Sequence, residues 1–253
     1  MILTGNTILV TGGGSGIGRG LAEAFHAMGN QVIIAGRRQN ILDKTTEANP
    51  GMASTALDIE DPAAIQAFAA RITSQHPALN VLINNAGILK PENLKSPGSD
   101  SGDAEAMVKT NLLGPIRLIA ALLPHLQKQP RAAILNVSSG LGFVPLPFAP
   151  TYSATKAALH SYTQSLRVQL QDTPVQVVEI IPPYVQTELG GSHQTNDPRA
   201  MPLAEYIAET IEILKNQPEA SENCVERVKF LRFAEATGTF DKALKMLTEM
   251  SFD

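Results

Sequence analysis

The chain carries 253 residues, with 20 Lys and Arg against 24 Asp and Glu, a net charge of −4 at pH 7, and a single cysteine, Cys224. A chain of this length buries about 70–75% of its unfolded surface, so neither a disulfide nor a structural metal is needed to hold it. One cysteine behind an N-terminus without signal-peptide character fits a reducing, cytoplasmic setting. The mild acidity lacks the basic stripe of a nucleic-acid surface. No uninterrupted apolar run reaches the ~18 residues of a membrane span, and His26, His76, His125, His160 and His193 share no metal-ligand spacing, so neither a membrane partner nor a metal is expected.

Short apolar runs rich in β-branched residues alternate with helical patterns. Strands are predicted at 7–10, 31–35, 53–57, 80–83, 132–137 and 175–181. Helices are predicted at 21–28, 41–48, 62–74, 104–126 and 151–170, the long fourth one irregular at Pro115. Continuously apolar strands between helices imply a parallel sheet covered on both faces: an α/β, doubly wound, Rossmann-type fold. No composition break or repeat divides the chain. One domain is therefore expected over 1–253, with a cofactor-binding and catalytic core over 1–187 and a substrate loop and helical C-terminal tail over 188–253.

The first strand runs into Thr11-Gly12-Gly13-Gly14-Ser15-Gly16-Ile17-Gly18 and then a helix. Glycines there let the backbone turn tightly and approach a pyrophosphate at the helix N-terminus, which makes Gly12, Ser15, Gly16, Ile17 and Gly18 candidate dinucleotide ligands. The spacing is Gly-x-x-x-Gly-x-Gly, and no Lys-Ser/Thr follows as a P-loop requires. The second strand ends Gly36-Arg37-Arg38. A carboxylate at that place would hold the ribose 2′-hydroxyl of NAD, whereas arginines accommodate a 2′-phosphate, so NADP(H) is favoured over NAD(H). Asp58, after the third strand, reads equally as an adenine contact or a turn aspartate. Asn84-Asn85-Ala86-Gly87 closes the fourth strand on the edge where open α/β sheets bind ligands. Asn85 can tie strand ends together, and Gly87 admits backbone close to a cofactor. Asn111, beside an apolar Leu112-Leu113, needs partners if buried. Ser139 ends the fifth strand with a hydroxyl able to hold a substrate oxygen, and 141–150 holds three prolines among apolar and small residues, as the wall of an apolar pocket would.

Pro150 suits a helix start, and on the helix that follows Tyr152 and Lys156 stand four apart, on one face. An ammonium beside a phenol favours the phenolate, so the pair predicts a lowered Tyr152 pKa and a proton exchanger for a substrate oxygen. Alone, the pair is also consistent with chance on a solvated face. Ala154, Ala158, Ser161 and Ser165 make one side of this helix small, fit for close approach of either the core or a second subunit.

Taken together, these residues resemble the short-chain dehydrogenase/reductase family. The motifs are Thr11-Gly12-x-x-x-Gly16-x-Gly18, Asn84-Asn85-Ala86-Gly87, Asn111, Ser139 and Tyr152-x-x-x-Lys156, and the Ser139–Tyr152 interval also fits. The resemblance implies a nicotinamide cofactor and Tyr152 as general acid/base. It implies that Lys156 binds the nicotinamide ribose and lowers the Tyr152 pKa, that Ser139 orients the substrate, and that Asn111 holds a relay water. Val185 and Thr187 match positions that contact the nicotinamide carboxamide. A homodimer or homotetramer is implied as well. The chain departs from the family at Pro182-Pro183-Tyr184-Val185-Gln186-Thr187, where Pro-Gly-x-Val-x-Thr is usual. Pro183 removes an N–H and restricts Pro182, which stiffens that loop. There and in its tail, Val225-Glu226-Arg227-Val228-Lys229-Phe230-Leu231-Arg232-Phe233-Ala234-Glu235, the chain looks similar to a bacterial oxidoreductase subgroup named for D-alanine esterification of teichoic acids.

Residues 188–201 are polar and glycine-rich, a mobile loop placed as a lid. Helix follows at 202–216, a short strand at 223–225, and helices at 228–236 and 240–250 broken at Gly238. The expected activity is NADP(H)-dependent hydride exchange with a small carbonyl or alcohol substrate. A non-catalytic NADP-sensing module and an NADP-assisted dehydratase or epimerase are the alternatives. The Asn111, Ser139, Tyr152, Lys156 set speaks against the first, since a sensor needs no proton-transfer group.

Overall fold

The computed structural model describes residues 1–95 and 101–250. Its strands are β1 (Thr7–Thr11), β2 (Gln31–Gly36), β3 (Ala53–Ala56), β4 (Leu79–Asn84), β5 (Ala132–Val137), β6 (Val175–Ile181) and β7 (Glu222–Cys224), joined in one parallel sheet in the order β3-β2-β1-β4-β5-β6-β7. β1, β4 and β5 are buried at every residue, so both faces must be covered. Helices α1 (Gly16–Ala27) and α7 (Leu203–Asn216) cover one face through Leu21, Phe25, Tyr206 and Ile207. Helices α3 (Pro62–Gln75), α5 (Gly114–Leu126) and α6 (Pro150–Gln169) cover the other through Phe68, Ile72, Leu118, Leu122 and Leu166. α2 (Gln39–Ala48) connects β2 to β3. A third apolar cluster lies around Tyr152: Met107 of α4 (Ser101–Val108), Val144 and Leu146, and Ala243 and Leu247 of α9 (Phe240–Glu249) pack together there.

The strands fall where the apolar runs put them; the helices differ in three places. α1 begins at Gly16, not 21, because the glycines that hide its pattern are required by packing: a Cβ at Gly20 would stand 2.7 Å from Ile207. The long helix is irregular just before Pro115, as a π-helical turn over Lys109–Leu113 between α4 and α5. Pro115 has no N–H to close the α-helical bond to Asn111, and the Gly114 N–H reaches back to Lys109 instead. The tail predicted as helix over 228–236 holds only α8 (Lys229–Arg232), after a 3₁₀ turn over Glu226–Val228. The break at Gly238 is present, with φ +66°.

Within the continuous helical stretch Gly102–Leu126 an 18-residue window reaches a mean hydropathy of 1.4, apolar and long enough to be a membrane-span candidate by composition. In the fold Leu118, Ile119, Leu122 and Leu126 are buried against the sheet and α3, which accounts for its apolarity as core packing.

Candidate active site

A groove of about 750 Å³ crosses the C-terminal ends of the central strands. It lies where the strand order reverses, between β1 and β4, the place an open α/β sheet leaves a crevice. Arg37 and Arg38 line one end, Gly12, Ser15, Gly16, Ile17, Asn85 and Gly87 the middle, and Ser139, Tyr152, Lys156, Val185 and Thr187 the other. Gly12 (φ 68°) and Gly16 (φ 53°) hold the left-handed conformation that the turn into α1 needs. Gly18 does not line the groove but is buried behind it, at the start of α1: a Cβ there would lie 2.4 Å from the Gly12 carbonyl oxygen and 2.3 Å from Asn85 Nδ2. Asn85 donates to the Thr11 carbonyl at 3.0 Å, and Asn84 to Asn136 at 2.9 Å, so the two asparagines tie β4 to both its neighbours. This cradle of backbone, with cations at one end and a phenol and amine at the other, fits a phosphate-bearing dinucleotide.

Two further predicted contacts also sit outside the lining. Asp58 is exposed and accepts from the Glu60 N–H at 3.0 Å, while its neighbours Leu57 and Ile59 face the groove; the turn reading of Asp58 is the one the fold supports. Asn111 is buried behind the lining. Its Oδ1 accepts from the Ile88 N–H and its Nδ2 donates to the Ile88 carbonyl, both at 2.9 Å, and Nδ2 also reaches Thr155 Oγ1 at 3.3 Å. Both amide hydrogens are thus spent in clamping the segment after β4 to α6.

Tyr152, Lys156 and Ser139 are brought together by α6 and the end of β5. All three are buried, with relative exposures of 4%, 4% and 7%, so the chance pairing on a solvated face is excluded. Lys156 Nζ donates to the Val137 carbonyl at 2.8 Å and lies 5.6 Å from the Tyr152 ring centre. The expected lowering of the Tyr152 pKa is overturned. Burial pushes the phenol up to about 12, against a hydrogen bond with Ser139 that acts the other way. Burial also brings Lys156 down to about 8, opposed by the Glu179 carboxylate. The spacing argument placed the ammonium correctly but omitted desolvation, which disfavours the charged form of both groups at once.

A family model described as short chain dehydrogenase matches residues 6–198. The chain belongs to the short-chain dehydrogenase/reductase family. It is 39% identical over 237 residues to the uncharacterized oxidoreductase DltE of Bacillus subtilis (strain 168), covering 92% of this chain and 93% of that one. Its fold matches a short chain dehydrogenase from Burkholderia cenocepacia, solved in complex with NADP, at a TM-score of 0.81 and 25% identity over 99% of this chain and 100% of that one. It also matches the 3-ketoacyl-(acyl-carrier-protein) reductase of Brucella melitensis, complexed with NADH, at 0.75 and 27% over 86% and 93%. The protein is an oxidoreductase of this family, built to use a nicotinamide cofactor.

Beside the groove of this short-chain dehydrogenase/reductase lies an apolar pocket of about 90 Å³, walled by Leu89, Leu141, Leu146, Phe148, Pro182, Pro183, Leu189, Leu231 and Met250. The proline-rich stretch before α6 is indeed a wall. The loop over 188–201 also contributes a wall: it contains a 3₁₀ turn, Ser192–Asn196, and buried Gln194 donates to the Val185 carbonyl at 2.7 Å and Thr187 Oγ1 at 3.1 Å. Tyr184 donates to Asp197 at 3.1 Å, and the Arg199 guanidinium beside Asp197 holds that carboxyl well below the usual range. The small side of α6 points outward, since Ala154, Ser161 and Ser165 are exposed.

Sequence reasoning missed three residues that build the site. The N-cap of α6, Ala149, has no capping side chain; Glu92 supplies one from 59 positions away, accepting from both the Thr151 N–H and hydroxyl at 2.8 Å, and its negative charge suits a helix N-terminus. Gly142 lets the turn that carries Ser139 lie on α6: a Cβ there would stand 3.0 Å from the backbone of Lys156 and Ala157. Neither leaves a local signal. The third, Glu179, interrupts an apolar strand, and that anomaly was readable.

Proposed function

We propose that the protein is an NADP(H)-dependent reductase/dehydrogenase for apolar carbonyl compounds and their alcohols, with Tyr152 exchanging the proton at the substrate oxygen. The observation that carries this is that Ser139 and Tyr152 line both the groove and the apolar pocket. A carbonyl carried by an apolar body in the pocket therefore presents its oxygen to two hydroxyls at the groove's edge. A nicotinamide cofactor held in the groove by the glycine turn over 12–16, Lys156, Val185 and Thr187 would supply or take up the hydride. Tyr152, protonated throughout the neutral range, gives its phenolic proton to the carbonyl oxygen in reduction and takes it back in oxidation. Ser139 holds that oxygen, and Lys156 supplies positive charge behind the phenol. The walls are mostly apolar, with Tyr184, His193 and Gln194 as the polar side chains of the loop side, so an apolar substrate body is favoured over a charged or polyhydroxylated one. In a panel with NADPH, short-chain and cyclic ketones and aldehydes should be consumed and α-keto acids and sugars should not. Consumption of the polar compounds alone, or of none, refutes the proposal.

For the NADP preference the support is electrostatic. Gly36 offers no carboxylate, and Arg37 and Arg38 stand at the groove's end. Arg37 pairs with Glu60 at 3.1 Å, but the two side chains are 55% and 25% exposed, so that pair is weak and yields to a phosphate. Arg38 makes no ion pair among the described residues. Arg38→Ala should weaken NADPH binding by about 10–100-fold, the value of a charge-assisted bond, and NADH binding by less than about twofold, read by the change in fluorescence of the reduced nicotinamide on binding, since the chain has no tryptophan. Equal loss of both would sink the preference.

A further inference from the structure

One register row of the sheet is polar where its neighbours are apolar. Asn84, Asn136, Glu179 and Glu222 stand side by side across β4, β5, β6 and β7. Ile134 and Val177, two residues earlier on their strands, belong to the core beneath α5 and α6, so Asn136 and Glu179 point to that same face. α6 answers with Lys156, His160 and Thr163, spaced four and three apart and thus on one face. Asn136 donates to Thr163 at 2.9 Å, and His160 Nδ1 meets Glu179 Oε2 at 2.7 Å. Glu179 is fully buried, and its Oε1 has no hydrogen-bond partner among the described residues.

A buried carboxylate with one oxygen unanswered is costly and calls for a nearby cation. Arg232 of α8 is committed elsewhere. It binds both oxygens of Glu222 at 2.8 Å and stacks on Phe143, with its guanidinium carbon 4.5 Å from the ring centre. The same commitment argues against a metal centre. Atoms of His160, Glu179 and Glu222 approach within 4.8 Å, but a cation there would have to displace a bidentate guanidinium. Arg167 of α6 also acts on Glu222, but its guanidinium is held by the Val177 and Ser221 carbonyls; Lys156, one turn before His160 on α6, is bound to the Val137 carbonyl and makes no ion pair among the described residues.

We propose that Glu179, oriented by His160, is the counter-charge of Lys156 and a positioning residue for the reaction: its carboxylate holds the Lys156 ammonium charged behind Tyr152. This rests on the reading that Tyr152 and Lys156 work as a pair. Lys156 is faced by Tyr152 on its own helix, by the Val137 carbonyl and Ser139 at the end of β5, by Asn111 from the π-helical turn and by Glu179 from β6. Glu179 in turn is faced by His160 of α6, by Glu222 and Cys224 of β7 and by Arg232 of α8. Of the groups named around Lys156, Glu179 is the one carboxylic side chain. Burial alone pulls the lysine toward the neutral amine; the carboxylate resists it.

The test is titration of Lys156 by NMR in protein labelled with ¹³Cε-lysine, the resonance assigned by its loss in Lys156→Arg. The Lys156 midpoint in Glu179→Gln should fall below the wild-type value by on the order of one unit. Glu179→Asp, which keeps the charge but withdraws it by one methylene, should fall less. Glu222→Gln should leave the midpoint in place, since Arg232 already neutralises that carboxylate. An unmoved midpoint in Glu179→Gln, or in Glu179→Asp if the Gln variant does not fold, overturns the proposal, and so does an equal shift in Glu222→Gln. The titration needs no substrate, so a carbonyl panel that fails leaves this result interpretable. Conversely, an unmoved midpoint leaves the role of Tyr152 standing. With an accepted ketone, rates of Glu179→Gln and wild type should converge toward pH 6 and part above it; a uniform loss at all pH values would show a merely structural role.

Discussion

Tyr152→Phe is expected to lower kcat for carbonyl reduction by about 10²–10⁴-fold, the range for loss of a positioned general acid, while leaving the Kd for NADPH within about twofold. The phenylalanine ring fills the same buried place against Met107, Val144 and Leu146, so the fold loses only a hydroxyl whose partner is Ser139. The pH dependence carries a sign. Burial raises the Tyr152 phenol to about 12, so the protonated form that reduction uses persists across the neutral range. Alcohol oxidation needs the phenolate and should gain rate as pH rises. Stopped-flow measurement of NADPH oxidation with an accepted ketone, beside fluorescence titration of the cofactor, separates the two effects. A variant that retains turnover removes Tyr152 from the chemistry; one that loses cofactor binding in proportion shows a damaged groove instead.

Gly18→Ala should be the more damaging of two single methyl groups compared at the dinucleotide end of the fold, although Gly18 lies behind the groove and not in its lining. The added Cβ meets backbone, the Gly12 carbonyl oxygen at 2.4 Å and the Gly12 carbonyl carbon at 2.9 Å, as well as Asn85 Nδ2 at 2.3 Å. Backbone cannot swing aside as the end of a long side chain can. Relief requires α1 to move away from β1 or Asn85 to release the Thr11 carbonyl, which it binds at 3.0 Å. A cost of about 2–4 kcal/mol is expected, at or above the usual range for overpacking, with a fall in Tm of about 5–15 °C for a chain of this size. NADPH binding should weaken by at least about 100-fold, because the cradle is built from the displaced atoms. Gly36→Ala is the control: its Cβ would meet only Leu42 Cδ2 at 3.7 Å, an ordinary contact, and stability should change by less than about 0.5 kcal/mol. Similar losses in both would mean that backbone entropy, not the close approach, sets the role of Gly18.

Most of the sheet was legible because its strands are continuous apolar runs, and such runs have few other places to go in a chain that buries both faces. The groove was legible for a related reason. In a parallel sheet every strand delivers its C-terminal end to the same edge, so Gly12, Asn85, Ser139 and Val185, scattered along the chain, must converge there. Asn111 was legible as a residue in need of partners, but not as a clamp on Ile88. The widened turn that aims it depends on Pro115 and on a segment more than twenty positions earlier. Asp58 was evenly divided between two roles that differ only in which way one side chain faces, and sequence does not encode that direction at the end of a strand.

Sequence alone determined the α/β sheet, the glycine turn, the two arginines after β2 and the spacing of Tyr152 and Lys156, since each is a local pattern with a local physical cause. Tertiary structure alone decided the direction in which the Tyr152 and Lys156 pKa values move. Desolvation depends on everything packed around a group, and here it raises the phenol and lowers the amine where proximity by itself would have lowered the phenol. Tertiary structure also decided that α6 is capped by Glu92, that Gly142 brings Ser139 onto the helix, and that Glu179 lies in a row with Asn136 and Glu222 beneath Lys156. Those contacts join residues far apart in the chain, and the register of β5, β6 and β7 that sets them is a property of the folded sheet.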